Sequence, residues 1–250
     1  MRISLLLLGT LLFLCLWSAC KVSDYASDSG PVSHELWDSL VREHVSDAGQ
    51  VDYKGFIKDS VKLNKYLALL SKNHPNDKNW SKDEQLAYWI NAYNAFTVKL
   101  IVDHYPTASI KDIKNGIPFV NTVWDIKFIT IEERTYDLNN IEHGIIRPKF
   151  KDPRIHMAVN CASISCPKLQ NRAYTGEKLN EQLDQAARDF INNKDRNNIT
   201  TEKAQLSKIF DWYGMDFDSV RDFINKYSNV KLTKDTKIEY LEYNWALNGV

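Results

Sequence analysis

The stretch Ser81-Lys82-Asp83-Glu84-Gln85-Leu86-Ala87-Tyr88-Trp89-Ile90-Asn91-Ala92-Tyr93-Asn94-Ala95-Phe96-Thr97-Val98-Lys99-Leu100-Ile101-Val102 reads as one long helix. Ser81 and Glu84 have the spacing of a capping box, in which each side chain satisfies a backbone N–H of the other, and Pro106 bounds the far end. Leu86, Trp89, Ile90, Tyr93, Phe96, Leu100 and Ile101 share one stripe, and from Gln85 to Val102 the only charge is Lys99. A helix with so little polar face has to be enclosed, so the rest of the fold must wrap around it. Asn91 and Asn94 then need partners, because a buried amide left unpaired costs on the order of 1–3 kcal/mol. At about 100° per residue Asn94 falls at the margin of the apolar stripe. Two amides on one aromatic helix point to a polar pocket wall, with hydrogen bonds to neighbouring backbone as the plain structural alternative.

Outward from this helix the chain alternates helices with a few short strands. Upstream, Ser33 can cap a helix carrying Leu36, Trp37, Leu40, Val41 and Val45, and Val61, Leu63, Leu67 and Leu70 mark a second. Downstream, Ile126–Ile131 and Thr135–Asp137 read as a hairpin, followed by a short helix in which His143 and Arg147 sit four residues apart. Ile155–Val159 reads as a strand carrying His156. An amphipathic helix from Glu177 to Asn193, an edge strand at Ile199–Lys203 and two short helices after Ser207 and Asp218 complete the body. Regular βαβ alternation is missing, so the fold class is α+β: a helix-rich single domain, 34–250, around a small antiparallel sheet.

The 250 residues contain 32 basic and 32 acidic residues, a balance that argues against nucleic acid, which requires a clustered basic surface. The first residues form a leader. Arg2 supplies a positive start, and Leu5–Trp17 is an apolar run shorter than the roughly 20 residues of a spanning helix. It ends in Trp17-Ser18-Ala19-Cys20, which resembles a bacterial lipobox. We therefore expect a lipoprotein-type signal peptide at 1–19, lipidation at Cys20, and a flexible Ser-, Asp- and Gly-containing tether over 20–33. That expectation places the protein outside the cytoplasm, in the bacterial envelope, on the periplasmic or outer-membrane surface.

The body keeps two cysteines, in Asn160-Cys161-Ala162-Ser163-Ile164-Ser165-Cys166-Pro167. Outside the cytoplasm an idle pair tends to close, so a Cys161–Cys166 disulfide is one reading. A zinc site with His143 and His156 is a second, but the cysteine spacing does not match the short zinc patterns, and no metal is expected. The third is a nucleophilic thiol activated by an imidazole. His143, on the short helix before the loop, is better placed than His156 to reach it, with Glu142 to orient its second nitrogen. Gly-x-Ser-x-Gly and Gly-rich phosphate loops are both lacking, so neither a serine elbow nor a nucleotide cofactor is expected.

Several segments together resemble the bacterial and plant family named domain of unknown function 547. They are Tyr88–Ala95, Ile141-Glu142-His143 with Arg147, His156–Cys161 through Ser165-Cys166-Pro167, Leu206–Phe217 in part, and Tyr240–Asn248. The family's Asn-Cys-Gly-Ala type loop reads Asn160-Cys161-Ala162-Ser163 here, and its terminal Tyr-Asp-Trp reads Tyr243-Asn244-Trp245. The resemblance gathers Asn91, Asn94, Glu142, His143, Arg147, Asn160, Cys161, Ser165 and Cys166 into one signature. By analogy, such a set looks like a papain- or transglutaminase-type thiol site. The resulting expectation is a cysteine-dependent hydrolase or acyl/amide transferase for a small peptide-like substrate. Cys161, His143 and Glu142 would be catalytic. Asn91, Asn94, Arg147, Asn160, Ser165 and Cys166 would bind substrate, Asn160 toward the oxyanion and Arg147 toward a carboxylate. The alternative is a non-catalytic binder of a small thiol such as glutathione, or of a cysteine-containing peptide, held near Cys161 and Cys166.

Overall fold

The computed structural model describes residues 27–114 and 121–249; the expected signal peptide and the lipidation site Cys20 lie outside them. Helix α1 (Glu35–His44), α2 (Tyr53–Lys58) and α3 (Ser60–Ser71) precede the long α4 (Lys82–Asp103). The capping box forms: Glu84 N–H donates to Ser81 Oγ, and Ser81 N–H donates to Glu84 Oε2 at 2.8 Å. Every α4 residue from Gln85 to Ile101 is buried except Lys99. The helix packs against α2, α3, the turn that carries Glu142 and runs on into the short α5 (Arg147–Phe150), and α6 (Leu179–Asn192). Tyr88 anchors it to α3 by donating its hydroxyl to Leu70 O at 2.8 Å.

The strands are peripheral to this helical core. β1 (Ile129–Ile131) and β2 (Arg134–Tyr136) form the expected antiparallel hairpin, with Glu132 in the left-handed region at the turn. The second sheet differs from the expected antiparallel one. β3 (Asn198–Ile199) pairs antiparallel with β4 (Lys203–Leu206), but β4 pairs parallel with β5 (Lys237–Tyr240). Between β4 and β5 run α7 (Ile209–Trp212) and α8 (Val220–Tyr227), a connection long enough for the parallel return. A second apolar cluster, including Met157, Phe190, Phe210, Phe217 and Ile224, fills the space beneath this sheet. Helix-rich α+β describes the result.

Two local readings need correction. Ile155–Val159 is not a strand: Pro153–Met157 forms a tight 3₁₀ turn. Asp152 starts it by accepting Arg154 N–H, and Pro153 supplies the fixed φ of a first helical position. A short apolar run is equally consistent with a strand and with a buried helical turn, and the Asp-Pro start decides it. Residues 27–33 do not behave as a solvated tether. Ser29 O accepts from Trp80 Nε1 (3.0 Å) and Asn76 Nδ2 (2.8 Å), and Ser29 Oγ donates to His74 O.

The segment after β5 runs back through the molecule as a strap. Ser109 bridges Ala246, Ser163 bridges Leu247, and Val51 bridges Gly249. The cysteine loop is thus hydrogen-bonded along one side to residues 244–248. Among the described residues no helix is long and apolar enough to cross a membrane.

Candidate functional site

The cysteine loop is held in place by two asparagines. Asn94 on α4 donates to Ala158 O (3.0 Å) and accepts Asn160 N–H (2.8 Å), clipping the loop entry to the core helix. Asn160 then buckles the loop: its Nδ2 donates to Pro167 O (2.7 Å), while its Oδ1 accepts Ala162 N–H and Asn248 Nδ2. Ala162 sits at φ +60°, a left-handed conformation that disfavours a Cβ. The effect of this framework is to turn both thiols toward each other.

Cys161 is the partly exposed thiol and Cys166 the buried one; both are free, and their sulfurs lie 2.9 Å apart. Cys161 Sγ also meets Ser163 Oγ and Tyr243 Oη, each at 3.3 Å. A thiolate at Cys161 would accept from the Cys166 thiol first, then from Ser163 and Tyr243. These donors hold its pKa below the ordinary thiol range despite burial. Burial, then the Cys161 sulfur, pushes Cys166 far up, so the pair has one ionisable member. Removing one donor should be measurable. Tyr243→Phe is expected to raise the Cys161 pKa and slow its alkylation by iodoacetamide at pH 7 about 2- to 10-fold, the equivalent of one hydrogen bond.

The thiol opens on a cleft of about 290 Å³ walled by Tyr93, Trp124, Trp212, Tyr213, Tyr243 and Trp245. Trp212, Tyr243 and Trp245 pack on one another with centroids 4.5–5.8 Å apart, and Lys111 Nζ caps the Trp245 ring at 4.9 Å. The polar groups of the lining include Glu142, His143, His156 and the two thiols. Glu142 and His143 come from Asn140–Ile146, a π-helical turn of the kind often found at functional sites.

Within this cleft the polar network differs from the expected one. Glu142 is buried and lies beside Tyr213, whose hydroxyl pKa is pushed up by burial and then by this carboxylate. His143 is exposed and pairs through Nδ1 with Arg147 Nη1 at 2.8 Å. Arg147 is already engaged bidentately by Asp216, at 2.6 and 2.8 Å, so its fork is not free for a substrate carboxylate. Asp216 also accepts from His156 Nε2 at 2.7 Å. His156 first, then Arg147, hold the Asp216 carboxyl well below the usual carboxylate range. His156 stacks on Tyr213 with centroids 4.1 Å apart.

Of the expected ligand-binding residues, Cys166 borders the cleft. Asn91 clips α4 to the backbone of Tyr174 in both directions (2.7 and 3.0 Å), and Asn94 and Asn160 serve as described. Ser165 ties the strap by accepting Asn244 N–H at 2.9 Å. Asn244 accepts Ala246 N–H and shapes the strap. Apart from Asn91, these residues build the loop or its strap. The residues not assigned a role beforehand are Tyr213, Asp216 and Tyr243; the clusters Trp212-Tyr213, Asp216-Phe217 and Tyr243-Asn244-Trp245 were the available signal.

The model of a family described as protein of unknown function, DUF547, matches residues 78–191. That span runs from the capping box of α4 through the cysteine loop to the end of α6, and contains all nine signature residues named above; Tyr213, Asp216 and Tyr243 follow it in sequence. No curated protein and no solved structure matches the chain.

Proposed function

We propose that this chain, in which the family of unknown function 547 accounts for residues 78–191, is a cysteine-dependent hydrolase or acyl/amide transferase. It acts on a small peptide-like substrate in the bacterial envelope, to which a lipid on Cys20 anchors it. The observation that carries the reading is the asymmetric thiol pair: Cys161 has three hydrogen-bonding neighbours and a lowered pKa, at the side of an aromatic cleft. Neighbours that favour the ionised form make this thiol the more nucleophilic of the two. The arrangement is papain- or transglutaminase-like in its chemistry, by analogy of groups.

The walls narrow the substrate. Six aromatic side chains surround the thiol and Arg147 is tied to Asp216, so the group seated beside Cys161 is an apolar or planar acyl group. The alternative, capture of a small thiol such as glutathione on Cys161, has less support, because Arg147, the expected partner of a ligand carboxylate, is occupied by Asp216.

The test is acylation. The purified body is mixed with aryl and alkyl thioesters, and the protein mass and the released thiol are followed together. A burst of thiol with one acyl group on Cys161, faster for aryl than for charged acyl chains, is the expected result. Absence of any acyl adduct across the panel would overturn the reading.

A further inference from the structure

The two imidazoles that border the cleft differ in their hydrogen bonds. His143 accepts from Arg147, and a guanidinium can only donate, so His143 Nδ1 holds a lone pair and its proton is on Nε2. A neutral imidazole fixed in that form offers the cleft a donor. His156 has the opposite arrangement. Its Nε2–H donates to the Asp216 carboxylate at 2.7 Å, it is 2 % exposed, and its Nδ1 is buried with no hydrogen-bond partner. A buried proton there without a partner would be costly, so Nδ1 is the bare nitrogen. His156 borders the same cleft as Cys161. An imidazole backed by a carboxylate, with its second nitrogen uncommitted, is the acceptor half of a catalytic triad.

We propose that His156, oriented by Asp216, is the proton acceptor and donor of the reaction, in place of His143. This rests on the thiol-enzyme reading above. In the first step the Cys161 S–H proton moves to His156 Nδ1, and the thiolate attacks the acyl carbon. The C–S bond forms as the carbonyl π pair moves to oxygen. When the oxyanion collapses, the bond to the leaving group breaks and that group takes the proton from Nδ1. Water then attacks the thioester and gives a proton to Nδ1, and Cys161 leaves as the thiolate and recovers that proton. Throughout, Nε2–H stays on Asp216, whose second partner, Arg147, keeps it ionised. Tyr213 lies flat against the ring and Phe217 beside it, so the imidazole cannot swing out of line.

The pH profile of Cys161 alkylation tests this, with the facing groups in mind: Cys166, Ser163 and Tyr243 on the sulfur, Glu142, Tyr93 and Tyr213 near it, and Asp216 and Arg147 behind the imidazole. Iodoacetamide adducts on Cys161 are counted by mass spectrometry for the unaltered protein, His156→Gln, Asp216→Asn and His143→Gln. His156→Gln is expected to slow alkylation at pH 7 at least tenfold and move the inflection upward, Asp216→Asn to act in the same direction more weakly, and His143→Gln to change the rate by less than twofold. Nitrogen NMR of the unaltered protein needs no variant and should show His156 Nδ1 unprotonated and Nε2 protonated at neutral pH. A low inflection that survives His156→Gln, or a protonated Nδ1, overturns this assignment alone. An unaltered protein whose Cys161 titrates like an ordinary thiol, near 8.5, overturns both it and the enzyme reading.

Discussion

Cys161→Ala is expected to abolish acyl-enzyme formation and to lower thioester turnover by a factor on the order of 10³ or more, as loss of a nucleophile does elsewhere. The side chain is partly exposed, so its removal leaves little cavity, and the unfolding midpoint should move little. Cys166→Ala provides the contrast. It leaves the attacking sulfur in place but removes the first of the donors that lower its pKa. Thioester attack should therefore survive at high pH and fall at pH 7, because fewer molecules carry the thiolate there. A Cys161→Ala protein that turned over thioesters at the original rate would end the proposal, and loss confined to Cys166→Ala would show that Cys166 attacks. Cys161→Ser keeps the volume but replaces the thiol by a hydroxyl with a much higher pKa, and is expected to resemble the alanine variant.

The long helix was legible because its evidence is local: a capping box, one charge in eighteen residues from Gln85 to Val102, and a proline beyond the end. The location of the site was legible for a related reason. Two cysteines five positions apart can meet through the loop between them, and the asparagines that clip that loop share its signature. The roles of those residues depend on contacts between distant segments, which periodicity does not encode. Arg147 looked like a free cation until Asp216, 69 positions on, occupied it. Tyr243 reaches Cys161 across 82 positions because residues 244–248 strap the loop. The two histidines are separated by what sits on their nitrogens, a guanidinium on one and a carboxylate on the other. The mistaken strand at Ile155–Val159 had the same root: these five residues are all buried, so they show no alternation to tell a helical turn from a strand.

Asn94→Ala is expected to be the most destabilising single change near the site. The amide bridges Ala158 O and Asn160 N–H, both on buried residues, so its removal leaves a backbone acceptor and a backbone donor unpaired together. At about 1–3 kcal/mol for each stranded group the loss comes to about 2–6 kcal/mol, to be read from the urea midpoint by tryptophan fluorescence. Asn91→Ala makes a matched comparison on the same helix, since it strands the carbonyl and N–H of Tyr174 in the same manner. The two should lose similar stability, yet differ at the thiol. Asn94 fixes the entry of the cysteine loop, and with it the 2.9 Å contact that lowers the Cys161 pKa, whereas Asn91 fixes a segment beyond the loop. Measured well below the unfolding transition, Cys161 alkylation at pH 7 should fall several-fold in Asn94→Ala and stay unchanged in Asn91→Ala. Equal alkylation in both variants would mean that Asn160 alone sets the loop, through its bonds to Pro167, Ala162 and Asn248.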